Sequence, residues 1–354
     1  MKNKPRKEPK KIHHLDKFYH QGATIFGGHI FFQTLRSAIQ LGILDLIEEK
    51  GPIDRETIAS TLNLKERPVR IILLGLTVAR MVKKSGRRYS NSEVVKLFFL
   101  KTSPYKTTSY IELQHRVMYK GLYWLLESVQ QDTNVGLREF AGPEPTLYER
   151  LAHDPQTEKI FQEAMQELSV FANTQLRERL DLSKVKHLVD VGGGNGTNAM
   201  AIVAKHPHLR ATVFDSPTVC EIAKKNILEK GMSDRVLTMA GNCFTDPFPK
   251  EANAILFAHF FTIWGEAKDR ELLKKCHDAL PPGGQVIIFN MMQNNDETGP
   301  IGAAVGSPYF LGIATGLGML YTWNEYETWI LEAGFRRVKK YKLRFDHGII
   351  VGYK

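Results

Sequence analysis

The stretch Val189-Asp190-Val191-Gly192-Gly193-Gly194-Asn195-Gly196 holds the densest chemistry in the sequence. An apolar run leads into it, and a helical pattern over 197–205 leaves it. Glycines at 192, 194 and 196 let a ligand approach the backbone, and a helix N-terminus offers free N–H groups. Two carboxylates frame the loop. Asp190 stands two residues before the first glycine, placed to order the loop around a cationic amino-acid group. Asp215 closes the next apolar run 21 residues after Gly194, about one strand–helix unit on, and can accept from both hydroxyls of a ribose. A nicotinamide fingerprint read from Gly192 needs glycine at 197, where Thr197 stands. The shifted frame Gly194, Gly196, Ala199 satisfies the looser form, so this loop alone leaves a dinucleotide open. Ala240-Gly241-Asn242-Cys243-Phe244 ends a third run, and Pro281-Pro282-Gly283-Gly284 is the turn before a fifth.

These loops need a scaffold that presents them at one edge. After Lys184 short β-rich runs alternate with helical ones, at 187–191, 211–214, 236–240, 254–260, 285–290, 337–343 and 348–352. Such alternation predicts an α/β domain, a mostly parallel Rossmann-like sheet with helices on both faces. Only four residues separate the last two runs, so they form an antiparallel hairpin at the sheet edge. Upstream, 105–178 reads as all helix, with long amphipathic runs over 110–130 and 157–180. From Gly28 to Phe98 the pattern is helix, turn, helix and a basic hairpin wing over 82–89, a winged-helix module. Gly42 marks a break in its first helical run, and Asp54 is a plausible N-cap. The predicted divisions are a basic tail (1–14), a mostly helical winged-helix domain (15–105), a helical linker region (106–180) and the α/β domain (181–354).

Taken together, the glycine loop, Phe214-Asp215-Ser216-Pro217, Gly241-Asn242-Cys243-Phe244, Leu280-Pro281-Pro282-Gly283-Gly284 and Phe161-Gln162-Glu163-Ala164-Met165 resemble one family. The sequence is similar, over about 25–354, to the class I S-adenosylmethionine-dependent methyltransferases, specifically the O-methyltransferases with an N-terminal winged-helix dimerisation domain. The resemblance implies a homodimer that uses S-adenosyl-L-methionine. It implies that Asp190, Gly192 and Gly194 hold the methionine part, Asp215 the ribose, and Asn242 and Cys243 the adenine. The family usually has Asp where Asn242 stands; an amide oxygen still accepts from the adenine amino group. Phe161 and Met165 would pack near the sulfonium, although Phe and Met at helical spacing also fill cores.

Methyl transfer needs alignment of nucleophile, methyl and sulfur, and a hydroxyl acceptor gains from a general base. The family's base is the His of a His-Asp-Trp segment. Aligned on Trp264, this chain has Thr262 at the His position and Ile263 at the Asp position. Glu163 and His259 are the alternative catalytic candidates, with His115 and His347 behind them; a base-free acceptor is the other reading. O-methylation carries the family's weight. The missing His–Asp pair admits C- or N-methylation, or a fold that binds cofactor without transferring methyl. The acceptor pocket is expected at Tyr119, Trp124, Phe261, Met291, Met292, Tyr309, Phe310 and Met319. That lining favours a flat hydrophobic molecule, such as an aromatic secondary metabolite or pigment precursor. The glycine-rich 299–318 reads as a mobile segment at its mouth.

The 354 residues are 43% hydrophobic and 24% charged, ordinary globular usage. No run is long and apolar enough for a transmembrane helix, and no apolar stretch follows the basic N-terminus as in a secretory signal. Cys220, Cys243 and Cys276 have neither metal nor disulfide spacing, so no metal is expected and a reducing cytoplasm fits best. Net charge is +10, and residues 1–14 supply half of it, as a solubilising tail would. The helix that would read bases, 66–81, is apolar and poor in Asn, Gln and Ser. Subunit packing therefore fits the winged helix better than nucleic acid or a regulatory role.

Overall fold

The computed structural model describes residues 10–354, with side chains from Phe18 on except at 170 and 171. The chain divides into two compact units, residues 1–112 and 113–354. The region expected to stand apart at 106–180 thus groups, from Leu113 on, with the sheet. A helix spans Lys10–Phe26, so residues 10–14 of the expected tail are helical; the rest of that tail lies outside the described residues.

In the first unit the helices Gly28–Gln40 and Ile43–Lys50 break at Gly42, where φ is +74°, a conformation glycine takes without strain. Asp54 caps helix Arg55–Thr61 by accepting from the Thr57 N–H at 2.8 Å. Helix Glu66–Val78 follows, then the wing. Strands β1 (Ile53–Asp54), β2 (Val82–Ser85) and β3 (Arg88–Asn91) form a small antiparallel sheet in the order β1-β3-β2. Leu44, Ile47, Ile58, Leu73 and Leu76 are sealed in its core. Each such burial is worth roughly 1.5–3 kcal/mol. Outside, Ile25, Phe26, Ile30, Ile71, Leu74 and Val78 are exposed. Among the described residues no single helix is long and apolar enough to cross a membrane.

The second unit is built on seven strands: β4 (His187–Val191), β5 (Arg210–Asp215), β6 (Val236–Ala240), β7 (Ala254–Ala258), β8 (Gln285–Met291), β9 (Arg337–Lys342) and β10 (His347–Tyr353). Their order is β6-β5-β4-β7-β8-β10-β9. The first five run parallel; β10 is antiparallel to both neighbours. The edge hairpin is as the four-residue spacing required. Strand succession reverses between β4 and β7, and ligands of open α/β sheets bind at the carboxyl ends beside that switch. One sheet face packs on helices Glu266–Ala279 and Trp323–Glu332, the other on Pro155–Arg179, Thr197–Lys205 and Pro217–Glu229.

Three local expectations change. The run 110–130 is interrupted by a π-turn at Gln114–Met118 and a 3-10 turn at Leu122–Trp124. The glycine-rich 299–318 holds a regular helix, Ile301–Tyr309, extended by a π-turn to Ala314. Its glycines serve close packing: a Cβ on Gly302 would stand 3.1 Å from Met291 Sδ, and one on Gly306 2.7 Å from Leu320. The strand expected to reach Phe260 stops at Ala258, because His259 turns to φ +56°.

Candidate functional site

β4 delivers Asp190 and Val191 to a turn in which Gly192, Gly194 and Gly196 have φ of +65°, +57° and +80°. Side chains rarely tolerate these values. Space sets the first glycine too: a Cβ at Gly192 would lie 2.5 Å from the Phe260 ring. A Cβ at Gly194 would meet nothing within 4 Å, so that face of the turn lies open. The helix Thr197–Lys205 starts at once, its Thr197 N–H bonded to Asn195 Oδ1 at 3.2 Å. Asp215, at the end of β5, ties the turn to its neighbour. Its Oδ2 accepts from the Gly194 N–H at 3.0 Å and its Oδ1 from the Ser216 N–H at 2.7 Å.

Asp190 is 0% exposed, and both its carboxylate oxygens are buried without a hydrogen-bond partner. Burial, then the negative Asp215, push its pKa up to about 7; the Ala199 N–H pulls the other way. Burial also raises Asp215 against the pull of its two N–H donors. An unpartnered buried carboxyl is costly, and a cation placed beside it removes the cost. Asn173 and the Asn198 side-chain oxygen, on two of the three helices that cover this face, are also buried without partners.

After β6 the chain turns tightly. Asn242 Oδ1 accepts from the Phe244 N–H at 2.9 Å, so one lone pair of the oxygen expected to meet adenine is already engaged. Asn242 is exposed and Cys243 buried. Phe244 and Trp264 stand edge to face at 5.1 Å, and Lys268 lies over both rings.

On the acceptor side the expected residues separate. Phe161 is buried, and Met165 half-buried on the same helix. Glu163 lies 200° around that helix from Phe161 and is exposed, 3.9 Å from Lys159. It does not share the buried face of Phe161. Phe261 and Met292 are core, packed with Phe257 and Tyr326 on the opposite sheet face, so neither lines a pocket. Tyr119 and Met319 are exposed; Trp124 donates to Glu139 at 2.7 Å beneath Arg138. Met291, Tyr309 and Phe310 are half-buried on the segments that β8 and helix Ile301–Tyr309 bring together. Thr262 is buried and Ile263 is tied through its carbonyl to the Thr315 hydroxyl, so no proton acceptor stands where the family's His and Asp would.

Sequence reasoning missed Tyr148. Its ring stands edge-on to Phe161 at 5.9 Å, it interacts with Tyr309, and burial raises its pKa to about 12. The only signal was Thr146, the cap of its short helix. His347, weakly weighed from sequence, pairs with His259 at 5.1 Å. Among the described residues no group of His, Cys, Asp and Glu is arranged to hold a metal ion.

A mostly parallel sheet with this strand order, a glycine turn at its switch point and a carboxylate at the end of the next strand define a Rossmann-like methyltransferase. The family models agree: an O-methyltransferase domain matches residues 123–336 and an O-methyltransferase dimerisation domain residues 23–101. The chain belongs to the S-adenosylmethionine-dependent O-methyltransferase family. It is 36% identical to an L-tyrosine C(3)-methyltransferase of Streptomyces lavendulae, across 94% of this chain and 92% of the relative. It is 31% identical to a 3-hydroxy-5-methyl-1-naphthoate 3-O-methyltransferase of Streptomyces sahachiroi, across 91% of each. Its fold matches the crystal structure of the S-adenosylmethionine-dependent methyltransferase SibL with a TM-score of 0.84 at 34% identity, covering 94% of this chain and 98% of that one. The protein is therefore an enzyme that uses S-adenosylmethionine to methylate small molecules. The residues present fit that cofactor. The orphaned Asp190 carboxyl suits a cationic group, the open face of Gly194 admits close approach, and the Asp215 oxygens suit a diol.

Proposed function

We propose that this enzyme methylates a phenolic small molecule at the ring carbon beside the hydroxyl. The observation that carries the reading is the buried Thr262 and half-buried Ile263 in place of a His–Asp base, in a chain 36% identical to an L-tyrosine C(3)-methyltransferase. Bound S-adenosylmethionine supplies an electrophilic methyl group. In this reading Asp190, Gly192 and Gly194 hold its amino-acid part and Asp215 its ribose. Asn242 and Cys243 flank its adenine, and Phe161 and Met165 bound the methyl. Tyr148, Met291, Tyr309 and Phe310 wall the acceptor. A phenol oxygen and its neighbouring carbon share the same electron-rich system, so a site that seats the hydroxyl away from the methyl axis leaves the carbon to react.

The dimerisation domain and the exposed apolar side chains of the first unit support a homodimer, for which light scattering should give twice the mass of the 40.2 kDa chain. The three buried, unpaired cysteines suit a reducing compartment such as the cytoplasm. The acceptor reading is tested with L-tyrosine tritiated at the ring positions beside the hydroxyl. Ring methylation releases tritium to water in step with product. Methylated product with all tritium retained favours oxygen, the reaction named for the 31% relative.

A further inference from the structure

Resting on the phenol reading, we propose that His259 takes the proton from the acceptor's hydroxyl. β7 separates the two halves of the site. On one side it pairs with β4, which ends in the glycine turn. On the other it pairs with β8, which ends in Met291 beside helix Ile301–Tyr309. His259 is the first residue beyond β7, and its ring packs on Phe289, on the sheet face that helix Pro155–Arg179 covers. That helix carries Phe161 and Met165.

The backbone at His259 has left the strand, at φ +56°, with its N–H donated to the Phe289 carbonyl at 2.8 Å. Left-handed residues other than glycine are uncommon, and they gather where a site needs a side chain aimed. Two rings hold the imidazole edge-on, Phe289 at 4.9 Å and His347 at 5.1 Å. His347 is more deeply buried than His259. Its Nδ1 lies 2.6 Å from the Phe345 carbonyl, which can only accept, so Nδ1 carries the proton, the tautomer is fixed and Nε2 is left as its unprotonated nitrogen. His259, by contrast, makes no side-chain hydrogen bond to any described residue and is half-buried rather than sealed. Burial and His347 keep its imidazole neutral, with the pKa lowered to about 3. A neutral imidazole carries one N–H and one unprotonated nitrogen; the latter accepts a proton, as a weak base while burial opposes the charged form. The phenolate it creates offsets the burial that disfavours its charged form.

The neighbouring groups are committed elsewhere. The Asp346 carboxylate accepts from the Gly302 N–H at 3.0 Å, at the start of helix Ile301–Tyr309. Glu163 is on the outer face of its helix, and the Thr262 hydroxyl is no base. The step is one proton transfer. The phenol O–H bond breaks, its electron pair stays on oxygen, an N–H bond forms on His259, and the proton later passes to water.

The test is His259→Asn, because Asn tolerates positive φ; His259→Gln carries the same comparison if the first variant fails to bind S-adenosylhomocysteine. With L-tyrosine as acceptor, kcat should fall by about 100-fold or more, while KM and S-adenosylhomocysteine affinity stay within about threefold. With 3-nitro-L-tyrosine, whose phenol ionises unaided near neutrality, the gap between wild type and variant should close to about tenfold or less. A variant within about threefold of wild type on L-tyrosine overturns the proposal. So does a variant equally slowed on both acceptors, which would make His259 a packing residue. A wild-type enzyme that methylates neither L-tyrosine, 3-nitro-L-tyrosine nor 3-hydroxy-1-naphthoate overturns the phenol reading, and this proposal with it.

Discussion

At the end of β4 eight consecutive residues, Val189 to Gly196, make the turn, and one more, Asp215 on the adjacent strand, ties it down. At the ends of β7 and β8 the walls proposed for the acceptor, with Phe161, His259 and His347 beside them, draw on Tyr148, Met291, Tyr309 and Phe310, spread over about 200 residues. The first region is local: each glycine answers a backbone angle or a neighbouring ring. The second is assembled from helices, a strand end and a hairpin tip. Locally encoded sites tolerate few changes and so stay recognisable. An assembled site can exchange its base or its lining while the fold is kept, as the proposed reading of Thr262 and Ile263 requires.

The largest expected effect sits in the local half. Asp215→Ala removes the acceptor of two backbone N–H bonds as well as the ribose-side carboxylate. S-adenosylhomocysteine binding should weaken by roughly 1.5–3 kcal/mol, measured calorimetrically. Unchanged affinity would break the contrast at its firmer end. A paired substitution sharpens it next. Gly192→Ala and Gly194→Ala both force a side chain to positive φ, costing about 1–2 kcal/mol each. Only the first also drives a Cβ into Phe260, so its melting point should drop further. Equal losses would mean that Phe260 yields freely.

A pH effect follows from Asp190. Its folded pKa, about 7, lies above the ordinary 3.8, so the cofactor-free protein is favoured while the carboxyl is protonated. That contribution is complete below about pH 4 and is lost as pH rises through about 7. The cationic ligand has the opposite preference, for the ionised carboxylate. S-adenosylhomocysteine affinity should therefore rise about tenfold between pH 6 and 8, and Asp190→Asn should flatten both trends. A wild-type affinity that falls over that range would contradict the role. The smallest effect belongs to Glu163→Gln. The side chain is exposed beside Lys159, and such pairs contribute about 0–1 kcal/mol. Turnover should stay within about twofold; a large loss would restore Glu163 to the acceptor side.

The sequence was legible where chemistry and chain order coincide. Strand–helix alternation, the glycine turn, Asp215 and the edge hairpin are short-range patterns, and each lies where its spacing required. The winged helix was readable for the same reason. Legibility failed where tertiary packing overrode local period. Adjacent residues at a strand end diverge, so Met291 turns to helix Ile301–Tyr309 while Met292 joins the core. Phe261 is apolar and one residue from the expected base, yet it fills the core beside Phe257 at 4.7 Å. The glycines of 299–318 looked like flexibility and are instead points of close helix packing. Tyr148 and His347 had no motif, since their partners Phe161 and His259 are 13 and 88 residues away along the chain.

On the proposed reading, the acceptor half serves methylation at carbon while the cofactor half keeps the glycine turn and Asp215. That reading is tested most directly by the bond the transferred methyl makes. Wild-type enzyme is incubated with S-adenosylmethionine carrying a 13C methyl and with L-tyrosine, and the product is examined by carbon NMR. A labelled methyl coupled to an aromatic ring carbon beside the hydroxyl is the expected result. A labelled methyl on oxygen would contradict it and return the protein to the reaction of its O-methylating relatives.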